Sequence, residues 1–429
     1  NKVITTTTYN RFRDDLWKFF GRFPPYIRDR ARTAAKRMQE GLKGLVAPSV
    51  IFEELGFRYI GPLNGHKLGE LVDTFSRLRD IRGPRFVHVL TKKGKGYEHA
   101  EKSPEVFHGI GKYCIKTGQS DKKSASYTDV FGDTLVELAR DNKKIVAISA
   151  GMTLGTGLKR FSQEIPERFY DVGITEQHAV TMAAALALDG YIPVCAIYST
   201  FLQRAYDQII HDVCLQSAPV IFAVDRAGLV GEDGPTHHGP FDLSFFSCIP
   251  NMVVSTPRDG TELVALLKTA VAYRKGPFVI RYPRSCCALS GRAPGRLDVP
   301  SWEVLRKGKD VIIVATGSMV EQTEQAVPIL LKKGVDPMLI NARFVKPLDE
   351  ALLGRLMRMK RTVFVVEENT CHGGLTSAVQ RYCAERDIDG RVRCIGLPDH
   401  FVEHGARQIL LKITGLDGDG IARRILSDL

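Results

Sequence analysis

Short, continuous apolar runs that alternate with helical segments constrain the fold of this chain more than any other feature. KIVAIS (144–149), YIPVCAI (191–197) and PVIFAVD (219–225) are runs of this kind, and segments of helical composition separate them. A strand that is apolar on both faces has to be covered on both faces, which is typical of parallel sheets flanked by helices. The chain is therefore predicted to be an α/β protein built from successive parallel-sheet domains.

Changes in composition divide the chain into three blocks. The polar segment KTGQSDKKSAS (116–126) and the Gly/Pro-rich segment SGRAPGRLDVPS (290–301) are the two linker candidates. They predict domains at 1–123, 124–290 and 303–429. With 429 residues, the chain is long enough for two or three domains that each bury a core.

Periodicity and turn residues then predict individual elements within these blocks. No GxGxxG follows a strand, so a dinucleotide-binding domain has no specific support. The predicted helices are 25–43, 127–142, 176–190 and about 201–216. Besides the three apolar runs above, the predicted strands are 85–91, 277–283, 310–317, 336–344, 361–369 and 391–397.

The distribution of charge limits the class of partner. The formal net charge is +12, and residues 1–123 carry essentially the whole excess. The basic residues of 26–44 fall all round a predicted helix and no aromatic residues are interleaved with them, which argues against a nucleic-acid platform. A solvated helix face or a surface for an acidic neighbour is favoured instead. No apolar run reaches the ~18 residues of a membrane span, and no signal-peptide core is present, so we expect a cytoplasmic or plastid-stroma protein without nucleic-acid or membrane partners.

The cysteines predict thiols rather than metal ligands or disulfides. None of the nine belongs to a CxxC pair, and several lie in apolar runs such as VCAI and RCIG. We therefore expect buried, reduced thiols. The positions are Cys114, Cys195, Cys214, Cys248, Cys286, Cys287, Cys371, Cys383 and Cys394.

A glutamate at a predicted strand-to-helix junction is the first candidate for chemistry. Glu176 begins EQHAVTMAAALALDG, a helix that is nearly free of charge. Poor solvation there favours the neutral form of a carboxyl group. The backbone N–H groups at a helix N-terminus favour the ionised form instead. This segment alone leaves both alternatives open.

The order of residues in YDVGITEQHAVTMAAALALDGYIPVCAIYSTFLQRAYD (170–207) resembles the thiamine-diphosphate enzymes of the transketolase superfamily. The blocks PSVIFEELGFRYIGPLNGHKLGEL, GPRFVHVLTKKGKGYEHAEKSPEVFHG, GEDGPTHHGPFDLSFF and IGLPDHFVEHG are similar, in this order, to the 1-deoxy-D-xylulose-5-phosphate synthase family. Transketolases proper and pyruvate dehydrogenase β-type subunits lack the combination of STFLQRAYDQ with DGPTHHG. The resemblance implies part of a diphosphate-binding domain, a pyrimidine-binding domain and a C-terminal domain of the transketolase type.

The resemblance implies that thiamine diphosphate is the cofactor. Glu176 matches the glutamate that hydrogen-bonds N1′ of the aminopyrimidine, where a protonated carboxyl group favours the imino tautomer that deprotonates the thiazolium C2. Phe201 matches the aromatic residue stacked on the pyrimidine, and Arg204 matches a polar neighbour. Lys93 is implied to contact the diphosphate side, and Lys92 and Lys95 are rival candidates.

The resemblance also implies the substrates pyruvate and D-glyceraldehyde 3-phosphate. Tyr198, Arg226 and Arg284 match the phosphate contacts of the family, and a guanidinium fork suits phosphate geometry. Asp233 and His237 match groups that lie near the sugar hydroxyls. The two arginines follow predicted strands, where ligands bind in α/β sheets.

The metal motif of the family has no counterpart in this chain. Mg²⁺ on the diphosphate needs hard oxygen ligands, supplied in the family by a Gly-Asp-Gly…Asn motif. The only GDG, at 418–420, is interpreted as a turn. No metal ligand is assigned, and the Mg²⁺ ligands are expected outside this chain. His108, in PEVFHG, matches a histidine that assists proton transfer during carbon–carbon bond formation.

Three hypotheses follow. The chain is a piece of a longer synthase and is inactive alone, or it is the β-type subunit of a two-chain thiamine-diphosphate enzyme, or it is a silent binding or regulatory homologue. The matched site residues count against the third hypothesis, and the first is favoured. The family suggests a homodimer, or association with a missing N-terminal half. The alternative enzyme is another two-carbon transferase with a ketose phosphate donor, which would release no CO₂ from pyruvate.

Overall fold

The computed structural model describes residues 50–109, 111, 113–119, 125–289, 291 and 295–429. The helix predicted over 25–43 and parts of both predicted linkers lie outside the described residues. The chain forms two compact units, Asn1–Asp121 and Lys122–Leu429, and each is described by itself.

The first unit contains a small parallel sheet in its described part. Strands β1 and β2 pair with Tyr59 opposite Phe86, and the ring of Phe52 stacks on Phe86 at a centroid distance of 3.9 Å. The strand predicted at 85–91 is thereby confirmed. The elements are α1 (Val50–Glu54), β1 (Arg58–Asn64), α2 (Leu68–Leu78), β2 (Arg85–Leu90), α3 (Glu98–Lys102) and a 3₁₀ turn (Val106–His108).

The second unit alternates strands and helices along the chain. Its strands are β3 (Ile145–Ser149), β4 (Phe169–Asp171), β5 (Ile192–Tyr198), β6 (Ile221–Asp225), β7 (Val253–Ser255), β8 (Phe278–Arg281), β9 (Glu303–Arg306), β10 (Val311–Ala315), β11 (Pro337–Asn341), β12 (Phe344–Lys346), β13 (Val363–Thr370) and β14 (Val392–Leu397). Its helices are α4 (Tyr127–Asp141), α5 (Lys159–Glu164), α6 (Glu176–Leu188), α7 (Ser199–Leu202), α8 (Tyr206–Gln208), α9 (Asp242–Ser247), α10 (Gly260–Ala272), α11 (Met319–Lys332), α12 (Glu350–Met357), α13 (Leu375–Glu385), α14 (Arg407–Thr414) and α15 (Gly418–Ser427).

These strands form two sheets that are parallel except at one edge each. The seven-stranded sheet has the order β12-β7-β8-β6-β5-β3-β4, and only the β12–β7 pair is antiparallel. The five-stranded sheet has the order β14-β13-β10-β11-β9, and only the β11–β9 pair is antiparallel. Helices pack on the sheets, so the predicted α/β class is confirmed.

Burial and capping explain why these segments form these elements. Every residue of β3, β6 and β10 is buried, as the continuous apolar runs predicted. Helix α4 begins at a capping box in which Ser126 accepts from the Asp129 N–H and Asp129 accepts from the Ser126 N–H. One apolar cluster spans both sheets and includes Val254 and Val279 of one and Ile312 and Val365 of the other.

Two sequence-based predictions of elements are wrong. The single strand predicted at 336–344 is two strands, because β11 ends at Asn341 and β12 joins the other sheet beside β7. The regular helix predicted from about 201 to 216 is broken into α7, a 3₁₀ turn, α8 and a π-helical turn at Ile209–Cys214. Apolar periodicity does not register either break, because both are responses to neighbouring elements.

The expectation of buried, reduced thiols also needs correction. Cys371 and Cys394 form a disulfide between the segment that follows β13 and the adjacent strand β14. Their sequence separation of 23 gives no local signal of this pairing. Of the other cysteines, Cys195, Cys214 and Cys383 are buried, whereas Cys114, Cys248 and Cys286 are exposed. Within the described residues, no helix has the length and apolar character that crossing a membrane requires.

Candidate active site

The carboxyl ends of neighbouring parallel strands carry the predicted site residues. Tyr198 is the last residue of β5, Arg226 directly follows β6, and Arg284 lies three residues beyond β8. Strands β5, β6 and β8 are neighbours in the seven-stranded sheet. Ligands bind at this edge of open α/β sheets, because the loops leave the strands there.

Glu176 is a buried carboxyl group at the first position of α6. Its residue is 2 % exposed, and Arg204 donates from Nη1 to its Oε2 at 3.4 Å. Asp171 at the end of β4 shapes the turn that leads into this helix, since its Oδ1 accepts from Gly151 N at 2.8 Å and from Gly173 N at 2.9 Å. Glu176 and Arg204, predicted as cofactor neighbours, therefore lie in contact.

Aromatic rings connect the end of β5 to the loop after β6. The rings of Tyr198 and Phe201 stack at a centroid distance of 5.6 Å, and Phe201 meets the His237 ring edge-on at 5.3 Å. The Arg226 guanidinium carbon lies 3.9 Å from the Tyr198 ring centroid, within cation–π distance. Burial raises the pKa of Tyr198, and the nearby charges of Arg226 and Arg284 act in the opposite direction.

Arg226 is held by the strand that precedes it. Its backbone is left-handed, with φ of +57°, and its N–H donates to Asp225 Oδ1 at 2.6 Å. Its Nη1 donates to Gly155 O at 2.7 Å and lies 3.1 Å from Asp225 Oδ1. Sequence reasoning overlooked Asp225, which is fully buried and accepts from Thr128 Oγ1 at 2.8 Å. Burial raises the pKa of Asp225, against the lowering effect of Arg226.

Asp233 and Arg284 face each other across the same edge of the sheet. They form an ion pair, and their side chains are 42 % and 37 % exposed. His237 lies four residues after Asp233, and its Nδ1 is 2.9 Å from Thr236 Oγ1. Thr200 Oγ1 donates to Thr236 O at 3.0 Å, which links this loop to α7. The structure thus brings Asp233, His237 and Arg284 close to the aromatic pair.

The predicted residues of the first unit also contact each other. Lys93 Nζ lies 2.6 Å from His108 Nδ1. An ammonium group is only a donor, so Nδ1 of His108 is the acceptor in this contact. The rival lysines face elsewhere: Lys92 Nζ is 2.6 Å and Lys95 Nζ is 3.7 Å from the Glu101 carboxylate.

Comparison with known proteins identifies the family. Residues 123–288 match the pyrimidine-binding domain of transketolase, residues 301–421 match the transketolase C-terminal domain, and residues 1–91 match 1-deoxy-D-xylulose-5-phosphate synthase. The 1-deoxy-D-xylulose-5-phosphate synthase of Aquifex aeolicus is 50 % identical over 431 residues, which cover 99 % of this chain and 67 % of that protein. The chain belongs to the 1-deoxy-D-xylulose-5-phosphate synthase family. Members of this family are transferases that depend on thiamine diphosphate.

Other relatives agree with this assignment. The synthase of Pelotomaculum thermopropionicum is 49 % identical over 441 residues, with 99 % of this chain and 67 % of that protein covered. The chain therefore spans about two thirds of the length of these synthases.

Solved structures share the fold. A split-gene transketolase, described as an inactive β4 tetramer, is 30 % identical with a TM-score of 0.64, covering 71 % of this chain and 98 % of that chain. Campylobacter jejuni transketolase has a TM-score of 0.60 over 90 % of this chain and 70 % of that chain, at 19 % identity. The latter likeness shows the fold alone.

The described part of this synthase-family chain offers no ready site for a metal ion. It contains no group of three or more His, Cys, Asp or Glu side chains arranged to hold one. The GDG at 418–420 begins α15, where Asp417 caps the helix by accepting from Gly420 N at 2.9 Å. This segment is therefore a helix start.

Proposed function

We propose that this chain carries the pyrimidine-binding and acceptor-binding parts of a 1-deoxy-D-xylulose-5-phosphate synthase. The reaction condenses pyruvate with D-glyceraldehyde 3-phosphate and releases CO₂. One observation carries the proposal: Tyr198, Arg226, Asp233, His237 and Arg284 cluster at one edge of the seven-stranded sheet. Cations, hydroxyl-binding groups and an aromatic wall are what an aldose phosphate requires.

The residues around Glu176 fit the aminopyrimidine half of thiamine diphosphate. Glu176 is a buried carboxyl group at the start of a mainly apolar helix, and such a group is suited to hydrogen-bond a ring nitrogen of the cofactor. Phe201 is half-buried and offers a ring for stacking. When bound, the cofactor supplies the nucleophile and the electron sink. In this proposal Glu176 holds the proton at N1′, and Phe201 and Arg204 orient the ring and the carboxyl group.

The diphosphate half has only partial support in this chain. Lys93 lies in the Gly-rich segment KKGKG, where the backbone can approach a phosphate. The sequence contains no Gly-Asp-Gly…Asn motif, and the described residues contain no group of three or more side chains arranged to hold a metal ion. We propose that the Mg²⁺ ligands lie outside this chain. His108 is proposed to move the proton during carbon–carbon bond formation, from Nε2, because Lys93 occupies Nδ1.

Arg226 and Arg284 are proposed to have different roles in binding the acceptor phosphate. Arg226 has a side chain that is 13 % exposed and is already bound to Asp225 and Gly155. Arg284 is more open and its ion-pair partner is the exposed Asp233. We assign Arg284 to the direct phosphate contact. Arg226 and Tyr198 are assigned to the rigid wall of the site beneath it.

Association and domain limits complete the proposal. Leu188 at the end of α6 and Ile210 and Leu215 of the following helical segment are exposed apolar side chains, which supports burial against a second copy in a homodimer. Domains at 1–123, 124–290 and 303–429 and a cytoplasmic or plastid-stroma location are part of the same proposal.

A second candidate is the β-type subunit of a two-chain thiamine-diphosphate enzyme. The observation in its favour is that the chain covers 98 % of a protein described as a split-gene transketolase. A partner chain would then carry the metal motif.

The first experiment isolates the native protein from its source through a C-terminal tag. Its intact mass is measured together with everything that elutes beside it, and product and CO₂ are assayed with pyruvate, D-glyceraldehyde 3-phosphate, thiamine diphosphate and Mg²⁺. A single heavier chain that forms 1-deoxy-D-xylulose 5-phosphate supports the first proposal. A chain of this length with a partner supports the two-chain enzyme, and a chain of this length alone without turnover contradicts both.

A further inference from the structure

The loop after β6 carries three proposed acceptor contacts, Arg226, Asp233 and His237, but little of its backbone pairs within its own sheet. Residues Gly228 and Gly239 exchange backbone hydrogen bonds of 2.9 Å and 2.8 Å in an isolated bridge at its base. We call residues 226–239 the acceptor loop. A loop of this length needs further attachments if its side chains are to stay aligned with a ligand.

The carboxylate of Glu368 in β13 and the guanidinium of Arg407 in α14 both bond to one residue of this loop. The N–H of Leu229 donates to Glu368 Oε1 at 2.8 Å, and its carbonyl oxygen accepts from Arg407 Nε at 3.0 Å. Arg407 Nη2 donates to Glu368 Oε2 at 2.6 Å, which closes the ring. Glu368 lies in β13, and Arg407 is the first residue of α14.

The Glu368 carboxylate has no route to solvent and uses both oxygens. It is 1 % exposed, and Ser318 Oγ adds a hydrogen bond of 2.9 Å to Oε2. Gly228 permits this approach, since a Cβ there would lie 2.4 Å from Glu368 Cδ, and its φ is +71°. The close approach of the Glu368 carboxylate to the loop backbone therefore requires glycine at position 228.

Further hydrogen bonds tie the loop to residues 403–405 and connect two of its own residues. Gly405 N donates to Gly231 O at 3.3 Å, and His238 receives the Val230 N–H at Nδ1 and faces Glu403 O with Nε2 at 3.3 Å. These contacts are uncharged, whereas Glu368 and Arg407 hold the Leu229 backbone with a charged pair.

We propose that Glu368 and Arg407 are positioning residues for the acceptor aldose phosphate. They fix the acceptor loop through Leu229, so that Asp233 and His237 face the phosphate site with Arg284. The C-terminal sheet thereby takes part in substrate binding without touching the substrate. This inference rests on the proposed function for the identity of the ligand.

The test is Glu368→Gln in the natively isolated protein, with Glu367→Gln as the matched control. Glu367 is the preceding buried residue of β13, but its carboxyl oxygens accept hydrogen bonds from Leu375 and Thr376 at the start of α13 and not from the acceptor loop. Glutamine at 368 retains an acceptor for Leu229 but presents donor hydrogens to Arg407, so the ring opens. Arg407→Gln opens it from the other side, and thermal melting shows that each variant is folded.

We expect Glu368→Gln and Arg407→Gln to raise KM for D-glyceraldehyde 3-phosphate by about tenfold, the size of one lost charge-assisted hydrogen bond. The KM for pyruvate and kcat should change by less than about twofold, because the ligand contacts proposed for the loop are contacts with the acceptor. Hydrogen exchange of peptides covering 226–239 should accelerate in both variants and stay unchanged in Glu367→Gln.

The outcomes separate this inference from the proposed function. An active wild type whose KM for the aldose phosphate is unchanged in both variants, or equally raised in Glu367→Gln, overturns the positioning role. If the wild type forms no product, the proposed function fails. Hydrogen exchange of the acceptor loop then still tests the inference. Faster exchange in Glu368→Gln and Arg407→Gln but not in Glu367→Gln supports the proposed attachment of the loop, and unchanged exchange overturns it.

Discussion

The two sheets of the second unit present similar polar side chains at their carboxyl edges but dispose of them differently. At the edge of the seven-stranded sheet, Asp233 and Arg284 are paired yet about 40 % exposed. At the edge of the five-stranded sheet, Glu367 and Glu368 are buried and bonded to the protein. The charged groups at the first edge are accessible to solvent, whereas the carboxyl groups at the second edge are bonded within the protein.

The difference between the two edges shows that a shared architecture does not by itself assign function. Both sheets are mainly parallel and both have a fully buried central strand, so the fold offers two equivalent edges. The exposure and the partners of the edge residues distinguish the proposed binding site from the edge whose carboxyl groups are bonded internally. Glu368 connects the two edges, because it belongs to one sheet and holds a loop of the other.

The largest effect is expected for the substitution Glu176→Gln at the edge of the seven-stranded sheet. The substitution keeps the shape of the side chain but removes proton exchange, so kcat should fall by about 10²-fold or more while affinity for thiamine diphosphate changes little. Steady-state kinetics and calorimetric cofactor binding in the natively isolated protein measure both.

Glu367→Gln is the control from the other edge, since it also neutralises a buried carboxyl group. Its kcat per folded molecule should equal that of the wild type. Wild-type turnover in Glu176→Gln would remove Glu176 from the mechanism.

A second way, with a smaller effect, is Arg284→Ala. Loss of a charge-assisted hydrogen bond to phosphate should raise KM for D-glyceraldehyde 3-phosphate by about tenfold to hundredfold, and pyruvate should be nearly unaffected. Arg306→Ala is matched, because Arg306 pairs with Asp336 at 2.7 Å in the five-stranded region. An equal loss for both substrates would place Arg284 outside the phosphate site.

The smallest expected effect is on the pH dependence of stability, which tests one buried carboxyl group at each edge. Burial raises the pKa of both Asp225 and Glu367, one at each edge. A raised folded-state pKa means that their contribution to stability is fully present below the unfolded values of 3.8 and 4.5 and is lost as pH rises through the folded values. Melting temperatures of Asp225→Asn and Glu367→Gln should therefore improve relative to wild type from about pH 4 to about pH 7.

Glu101 of the first unit gives the opposite sign. Hydrogen bonds from Lys92 and from the Gly96 N–H lower the pKa of Glu101 to about 2. Its contribution is present above its ordinary value of 4.5 and is lost as pH falls through about 2. Carboxyl carbon NMR shifts measure this directly, and a midpoint near 4.5 would contradict the assigned hydrogen bonds.

The clustering of several candidate site residues could be predicted, because they stand at strand ends that the sequence already marks. The apolar runs predict β5, β6 and β8, and the motifs that follow them contain Tyr198, Arg226 and Arg284. Asp225 was visible as the last residue of a buried strand in VDRAG, but its partner Thr128 is 97 positions away. The interruptions after Phe201 were not predictable, because a π-helical turn is set by packing against α6 rather than by composition.

The sequence by itself determines the α/β class, the family and the chemical types of the site residues, because apolar period and motif order are local properties of the chain. Tertiary structure alone decides that β12 crosses to the other sheet, that Cys371 meets Cys394, and that Glu368 holds Leu229 across 139 positions. The physical reason is that these pairings depend on which surfaces meet when two sheets pack, and residue spacing carries no record of that.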